Sequence, residues 1–234
     1  MSSIPEEFLN SLNNTPGFSR TKFVESHKEG KVPVSIRINP LKNAHVPFSV
    51  SGKVKWANEA YYLTERPVFT ADPLFHAGCY YVQEASSMFI EFILKQTIDF
   101  GKEIKALDLC GAPGGKSTLI NSLLTDESLL VANETVKGRS DILVQNLVKW
   151  GRHNFVVTNS EPKAFSEIPN YFDLIVVDAP CSGSGLFRKT PEAIKEWSLE
   201  HVESCSLRQQ KILSDVLPSL KSGGVLVYST CSFS

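Results

Sequence analysis

No C-x-x-C pair occurs in this chain, although it has five cysteines, at positions 79, 110, 181, 205 and 231. Their spacing matches no structural zinc site, so no metal is expected. An odd, scattered set also argues against a disulfide framework and for reduced thiols. No apolar run approaches the roughly 18–20 residues of a membrane span. The opening MSSIPEEFLN has neither the basic nor the apolar region of a secretory signal. A cytoplasmic protein without membrane contact is therefore expected. Strong net charge is missing too: the total is −1 at pH 7, so bulk electrostatics does not advertise a nucleic-acid partner.

What is present is a chain of 234 residues, 42% of them hydrophobic, enough to bury a large core in one or two domains. Charge is unevenly spread. Between Arg20 and Lys55 stand eight basic residues (Arg20, Lys22, Lys28, Lys31, Arg37, Lys42, Lys53, Lys55) against two acidic ones, Glu25 and Glu29. Such an excess can face phosphates, or can be a solvated face with no partner.

Residues 1–75 are rich in breakers (TPG, NPLKN, HVPF, ERP) and read as a small α+β unit. VPVSIRIN alternates like a half-buried strand. YVQEASSMFIEFIL then sets Val82, Ala85, Phe89 and Phe92 at helical intervals. From about residue 103 the texture changes. IKALDL, SLLVAN, FVVTN, DLIVVD and GGVLVYS are short aliphatic runs, and the spacing predicts helices over 116–124, 138–149 and 200–220, with a short one near 191–198. This alternation predicts an α/β fold with a parallel, doubly wound sheet across 76–234. Ligands of such sheets sit beyond the carboxyl ends of the strands. Asp108, Glu134, Asp178 and Cys231 all stand at or near such ends.

LDLCGAPGGKST reads as strand, glycine-rich turn and helix. A phosphate-binding P-loop would need glycine at 110, where Cys110 stands. A glycine turn followed about 20 positions later by an acidic residue, here Glu134, instead favours a nucleoside-bearing cofactor. VVDAPCSGSG is more specific. Pro180 fixes the backbone, Asp178 can hydrogen-bond a base edge or cap a turn, and Cys181 can act chemically or fill space. A second strand-like run, GVLVYSTCS, ends in Cys231.

DLCGAPGGK, DAPCSGSG and STCS, in this order, resemble the motifs of the Nol/Nop/Sun-type RNA (cytosine-5) methyltransferases. Further likeness runs through VSIRINPLK, HAGCYYVQEASSM and GLFRKTPEAIKEW, and is greatest to the bacterial branch acting on small-subunit ribosomal RNA. The resemblance implies a class I, Rossmann-like methyltransferase sheet with a small N-terminal α+β, RNA-binding domain (1–75), and S-adenosylmethionine as cofactor. Since the family's fold continues past STC, the chain is expected to be truncated at its C-terminus. RNA, small-subunit ribosomal RNA in particular, is the implied partner, and a monomer is expected.

Carbon 5 of cytosine is a poor nucleophile. Adding a thiolate to carbon 6 moves electron density onto carbon 5, after which a second group helps release the product. Spacing alone does not say which thiol attacks, since a Pro-Cys such as Pro180-Cys181 is the attacking motif in DNA methyltransferases. The resemblance to the RNA family implies Cys231 as nucleophile and Cys181 as release partner, with Asp178 and Lys116 as further catalytic residues. It further implies a cofactor site of Cys110, Gly111, Ala112, Pro113, Gly114, Gly115, Lys116, Glu134, Glu161 and Asp178. Arg37, Lys42, Arg188 and Lys189 are expected to hold the RNA backbone. Arg139 matches a family arginine of open role, and Trp197 is read as core or as a base-stacking platform. The competing reading is a non-catalytic module that binds RNA or cofactor only.

Overall fold

In a computed structural model of the chain, residues 4–28, 32–42 and 45–233 are described. The elements run α1 (Glu6–Ser11), α2 (Arg20–Lys28), β1 (Ser35–Ile38), β2 (Val50–Lys53), β3 (Ala60–Leu63), α3 (Pro73–His76), β4 (Tyr80–Val82) and α4 (Phe89–Thr97). They continue with β5 (Lys105–Asp108), α5 (Gly115–Leu123), β6 (Leu129–Asn133), α6 (Lys137–Trp150), β7 (Phe155–Thr158), β8 (Phe172–Asp178), α7 (Ala193–Glu196), α8 (Leu199–Val216) and β9 (Leu220–Ser229).

The chain divides into two compact units. One combines Met1–Val32, Ala179–Ser214 and Ser229–Ser234; the other combines Pro33–Asp178 with Asp215–Tyr228. This partition does not fall at residue 75.

The larger unit holds two sheets. The first is antiparallel, in the order β2-β3-β1-β4. The second has the order β7-β6-β5-β8-β9, in which β5 runs parallel to β6 and β8, and β6 parallel to β7. That is the Rossmann-like α/β sheet that the aliphatic runs predict. Its central strands are covered on both faces, as the completely buried run Leu174, Ile175, Val176, Val177 shows. One core joins the sheets: Val54, Ala60 and Met88 pack in the same cluster as Leu119, Leu143 and Val176.

Two local expectations need correction. VPVSIRIN is not half-buried, because β1 lies between β3 and β4 and all four of its residues are buried. The segment from Val82 to Phe92 is not one helix. Tyr80–Val82 pairs with β1, and α4 begins only at Phe89. Its buried face carries Ile90 and Leu94, while Phe89 and Phe92 are 45% and 47% exposed.

The smaller unit has its own aromatic core. Phe8 of α1 meets Phe187 and Trp197 edge-on, with ring centroids 5.1 and 5.3 Å away. Leu9 and Leu12 complete the buried set. Each such edge contact adds about 1 kcal/mol beyond the area it buries.

Candidate active site

In the larger unit, β5, β6 and β8 end together. In register, Asp108 pairs with Ala132 on one side and Val176 on the other, so Asp108, Glu134 and Asp178 share the carboxyl rim of the sheet. Between β5 and α5 runs the glycine loop. Gly114, at φ +116°, takes the left-handed turn that starts α5. Gly111 is closely packed: a Cβ there would lie 2.8 Å from Ser117 Oγ and 3.2 Å from Leu143, so those side chains would have to shift.

Asp108 is wholly buried beneath this loop. The Ser117 hydroxyl donates to its Oδ2 at 2.6 Å, and burial pushes its carboxyl up to about 6. Its Oδ1 is a buried acceptor without a hydrogen-bond partner among the described residues. Burial likewise pushes the Cys110 thiol up to about 12, which keeps it protonated and inert at neutral pH.

Glu134, also buried, accepts at Oε1 from the Val136 N–H at 3.0 Å and pairs at Oε2 with Arg139 at 3.3 Å. Arg139 also donates to the Ala112 carbonyl at 3.0 Å. Its open role thus acquires a structural content: it ties the acidic strand end to the glycine loop. Asn146 holds the same loop by donating to the Pro113 carbonyl at 2.7 Å. Lys116, on the first turn of α5, reaches Asp178 Oδ2 at 2.7 Å.

The residues fit a nucleoside-bearing cation. The loop leaves room for close backbone approach, α5 opens at the rim, and the rim supplies carboxylates, one with an uncompleted acceptor. Residues 110–116 and Glu134 could hold such a ligand. Glu161 is exposed, at the turn after β7.

In the smaller unit, Cys181 and Cys231 come together. Neither is in a disulfide, and their sulfurs lie 2.8 Å apart. Cys181 follows β8 by three residues, and Cys231 follows β9 by two. Arg188 and Lys189 are exposed just after the Cys181 loop. Trp197 is 6% exposed against Phe8, so its ring is core and not a platform for a base.

The RNA-backbone expectation fails for Arg37. It is 3% exposed; its guanidinium donates to Gln83 Oε1 and the Thr118 hydroxyl and lies 4.5 Å over the Trp150 ring. Burial lowers it to about 10. It braces α5 from below. Lys42 is half-buried, with its ammonium on the carbonyls of Ala77 and Lys149. Of the basic stretch, Lys31 and its acidic neighbour Glu29 lie outside the described residues, while Lys53 and Lys55 are exposed.

Sequence reasoning missed Asn133. Fully buried, it donates to the carbonyls of Leu109 and Ser160 and accepts from Thr158 and Ser160. One amide thereby joins the ends of three neighbouring chain segments. A polar residue closing the apolar run LLVA was the available signal.

Comparison with known proteins agrees with this architecture. The profile described as "16S rRNA methyltransferase RsmB/F" matches residues 95–234, and that for the "N-terminal domain of 16S rRNA methyltransferase RsmF" matches 4–85. The chain is 33% identical to ribosomal RNA small subunit methyltransferase F of Shewanella woodyi, over 100% of this chain and 52% of the relative. To the protein of that name from Aeromonas salmonicida it is 36% identical, over 86% of this chain and 44% of the relative. The chain thus spans about half the length of these curated relatives. Among solved structures, a methyltransferase homolog protein from Pyrococcus horikoshii superposes with a TM-score of 0.74 at 28% identity, covering 98% of this chain and 78% of that one.

Proposed function

The chain belongs to the RsmB/F family of 16S rRNA methyltransferases, and from that premise we propose that it carries the machinery for methylating carbon 5 of a cytosine in small-subunit ribosomal RNA. The observation that carries this reading is the approach of two thiols, Cys181 and Cys231, with sulfurs 2.8 Å apart. Two sulfurs in contact suit neighbouring atoms of one flat ring.

On this reading the Cys231 thiolate adds to carbon 6, forming a carbon–sulfur bond while the ring's 5,6 double bond becomes electron density at carbon 5. When bound, S-adenosylmethionine would supply a methyl group to carbon 5, its sulfonium–methyl bond breaking to leave the neutral thioether. Cys181 then takes the proton from carbon 5, the double bond re-forms, and the Cys231 thiolate leaves. Asp178 hydrogen-bonds the cytosine ring, and the Lys116 ammonium at 2.7 Å holds that carboxylate in place. Glu134 would take the ribose hydroxyls of that cofactor, with Arg139 fixing its direction, and Glu161 would serve the adenine end.

A cytosine stacked in a duplex exposes neither face to a thiol, so the substrate is single-stranded or flipped out. Arg188 and Lys189, both exposed, hold the RNA backbone and position it without reading its sequence.

The test is incubation of the full-length protein with methyl-labelled S-adenosylmethionine and small-subunit ribosomal RNA. The expected product is 5-methylcytosine after nuclease digestion. Label on another base, or on DNA only, overturns the reading.

A further inference from the structure

The loops that carry Cys181 and Cys231 are bound to each other at several points around the thiols. Before them, the Ala179 N–H donates to the Ser229 carbonyl at 2.9 Å. After them, the Gly185 N–H donates to the Cys231 carbonyl at 2.8 Å. A Cβ on Gly185 would lie 2.3 Å from that oxygen, so no other residue permits this approach without moving backbone. The side chains add a hydroxyl cluster. Ser232 Oγ lies 2.9 Å from Ser182 Oγ and 3.0 Å from Ser184 Oγ, and the Phe233 N–H donates to Ser184 Oγ at 2.9 Å. Ser182 and Ser184 are both buried.

A serine hydroxyl has one proton to give and two lone pairs to accept with. Ser232 can therefore bridge both partners at once, and buried hydroxyls are costly to leave unpaired. We propose that Ser232, bridging Ser182 and Ser184, is a positioning residue whose clasp, with Gly185 beneath it, sets the spacing of the two thiols. Its value for catalysis rests on the function proposed above; its effect on thiol spacing does not. A nucleophile and a proton acceptor serving adjacent ring carbons tolerate little misplacement, since a shift of about 1 Å can cost about 100-fold.

The test has an arm that needs no RNA. The full-length protein is treated with diamide, and formation of the Cys181–Cys231 disulfide is followed by peptide mass. The wild type is expected to cross-link quickly, Ser232→Ala about 10-fold more slowly, Ser184→Ala about 3-fold more slowly, and Ser232→Thr, which keeps the hydroxyl, within about 2-fold of wild type. Circular dichroism confirms that each variant is folded. In the second arm, methyl transfer, Ser232→Ala lowers kcat about 10-fold with an unchanged KM for RNA. A folded Ser232→Ala or Ser184→Ala that cross-links at the wild-type rate overturns the clasp, as does a Ser232→Thr that fails to restore it. The expected cross-linking series in a protein without methyl transfer supports the clasp and refutes the proposed function instead.

Discussion

The sulfurs of Cys181 and Cys231 meet at 2.8 Å from positions 50 residues apart, each just beyond the end of a strand. Their roles separate by substitution. On the proposed mechanism Cys231→Ala removes the attacking sulfur, so methyl transfer should fall by on the order of 10⁴-fold or more, with no protein–RNA adduct. Cys181→Ala leaves attack intact but blocks release, so an adduct should accumulate as a retarded band on a denaturing gel. The opposite pattern would exchange the two assignments.

Lys116 and Asp178 provide the next prediction. Their 2.7 Å pair joins the helix after the glycine loop to the end of β8, with the lysine side chain mostly covered and the aspartate about one-third exposed. Partial exposure limits the stability cost of Lys116→Met to about 1 kcal/mol. On the proposed function the cost to turnover is larger, because the carboxylate assigned to the base loses its anchor: about 100-fold in kcat/KM. Thermal melts and steady-state kinetics on the same preparation separate the two effects. An equal loss in both would make the pair structural.

Much of this was legible in the sequence, and the reason is local. The aliphatic runs from Leu107 to Val177 are strands because buried parallel strands need apolar residues on both faces, and the glycines at 111 and 114 mark where backbone space is needed. The thiol pair followed from motif resemblance. Other features depend on distant partners and left little local trace. Arg37 looks like a solvated cation in VSIRIN, yet it is buried because Gln83, Thr118 and Trp150, 46 to 113 positions away, surround it. The exposed Phe89 and Phe92 fooled the helical pattern because the strand at Tyr80–Val82 interrupts it. The union of the N-terminal helices with the Trp197 region depends on Phe8, whose partners lie almost 200 residues on.

Gly111 has a price for even one methyl group. The nearest atom to an added Cβ, Ser117 Oγ at 2.8 Å, is the one that donates to Asp108. Gly111→Ala forces that hydroxyl to move and weakens a hydrogen bond to a buried carboxyl, which is worth about 1.5–3 kcal/mol. Lower thermal stability and about 10-fold weaker S-adenosylmethionine binding by calorimetry are expected. Unchanged values would mean that the loop adapts without losing the bond.

Asp108 also predicts a pH dependence. Its carboxyl is raised from 3.8 to about 6 by burial, so the folded state holds the proton more tightly than the unfolded chain. Its contribution is full below pH 3.8, declines between 3.8 and about 6, and is lost above. Asp108→Asn cannot ionise and escapes the loss. The stability of the variant relative to wild type should therefore rise between pH 4 and pH 7.5, by about 3 kcal/mol for a shift of about two units. Paired denaturant titrations measure it, and a pH-independent difference would assign the proton elsewhere.

Trp197 offers the clearest division between a packing role and a binding one. Its ring is edge-on to Phe8 at 5.3 Å and buried with Phe187 and Leu12. Removing it empties the centre of the smaller unit's core, and Trp197→Ala should cost about 3–5 kcal/mol. Trp197→Phe retains part of the volume and the aromatic edge contact, so most of that stability should return. If the ring only packs, the phenylalanine variant binds RNA with wild-type affinity at any salt concentration, because it has altered neither charge nor exposed stacking surface. A folded Trp197→Phe that loses about 10-fold in RNA affinity would instead show that the indole reaches a base, at about the energy of one stacked contact.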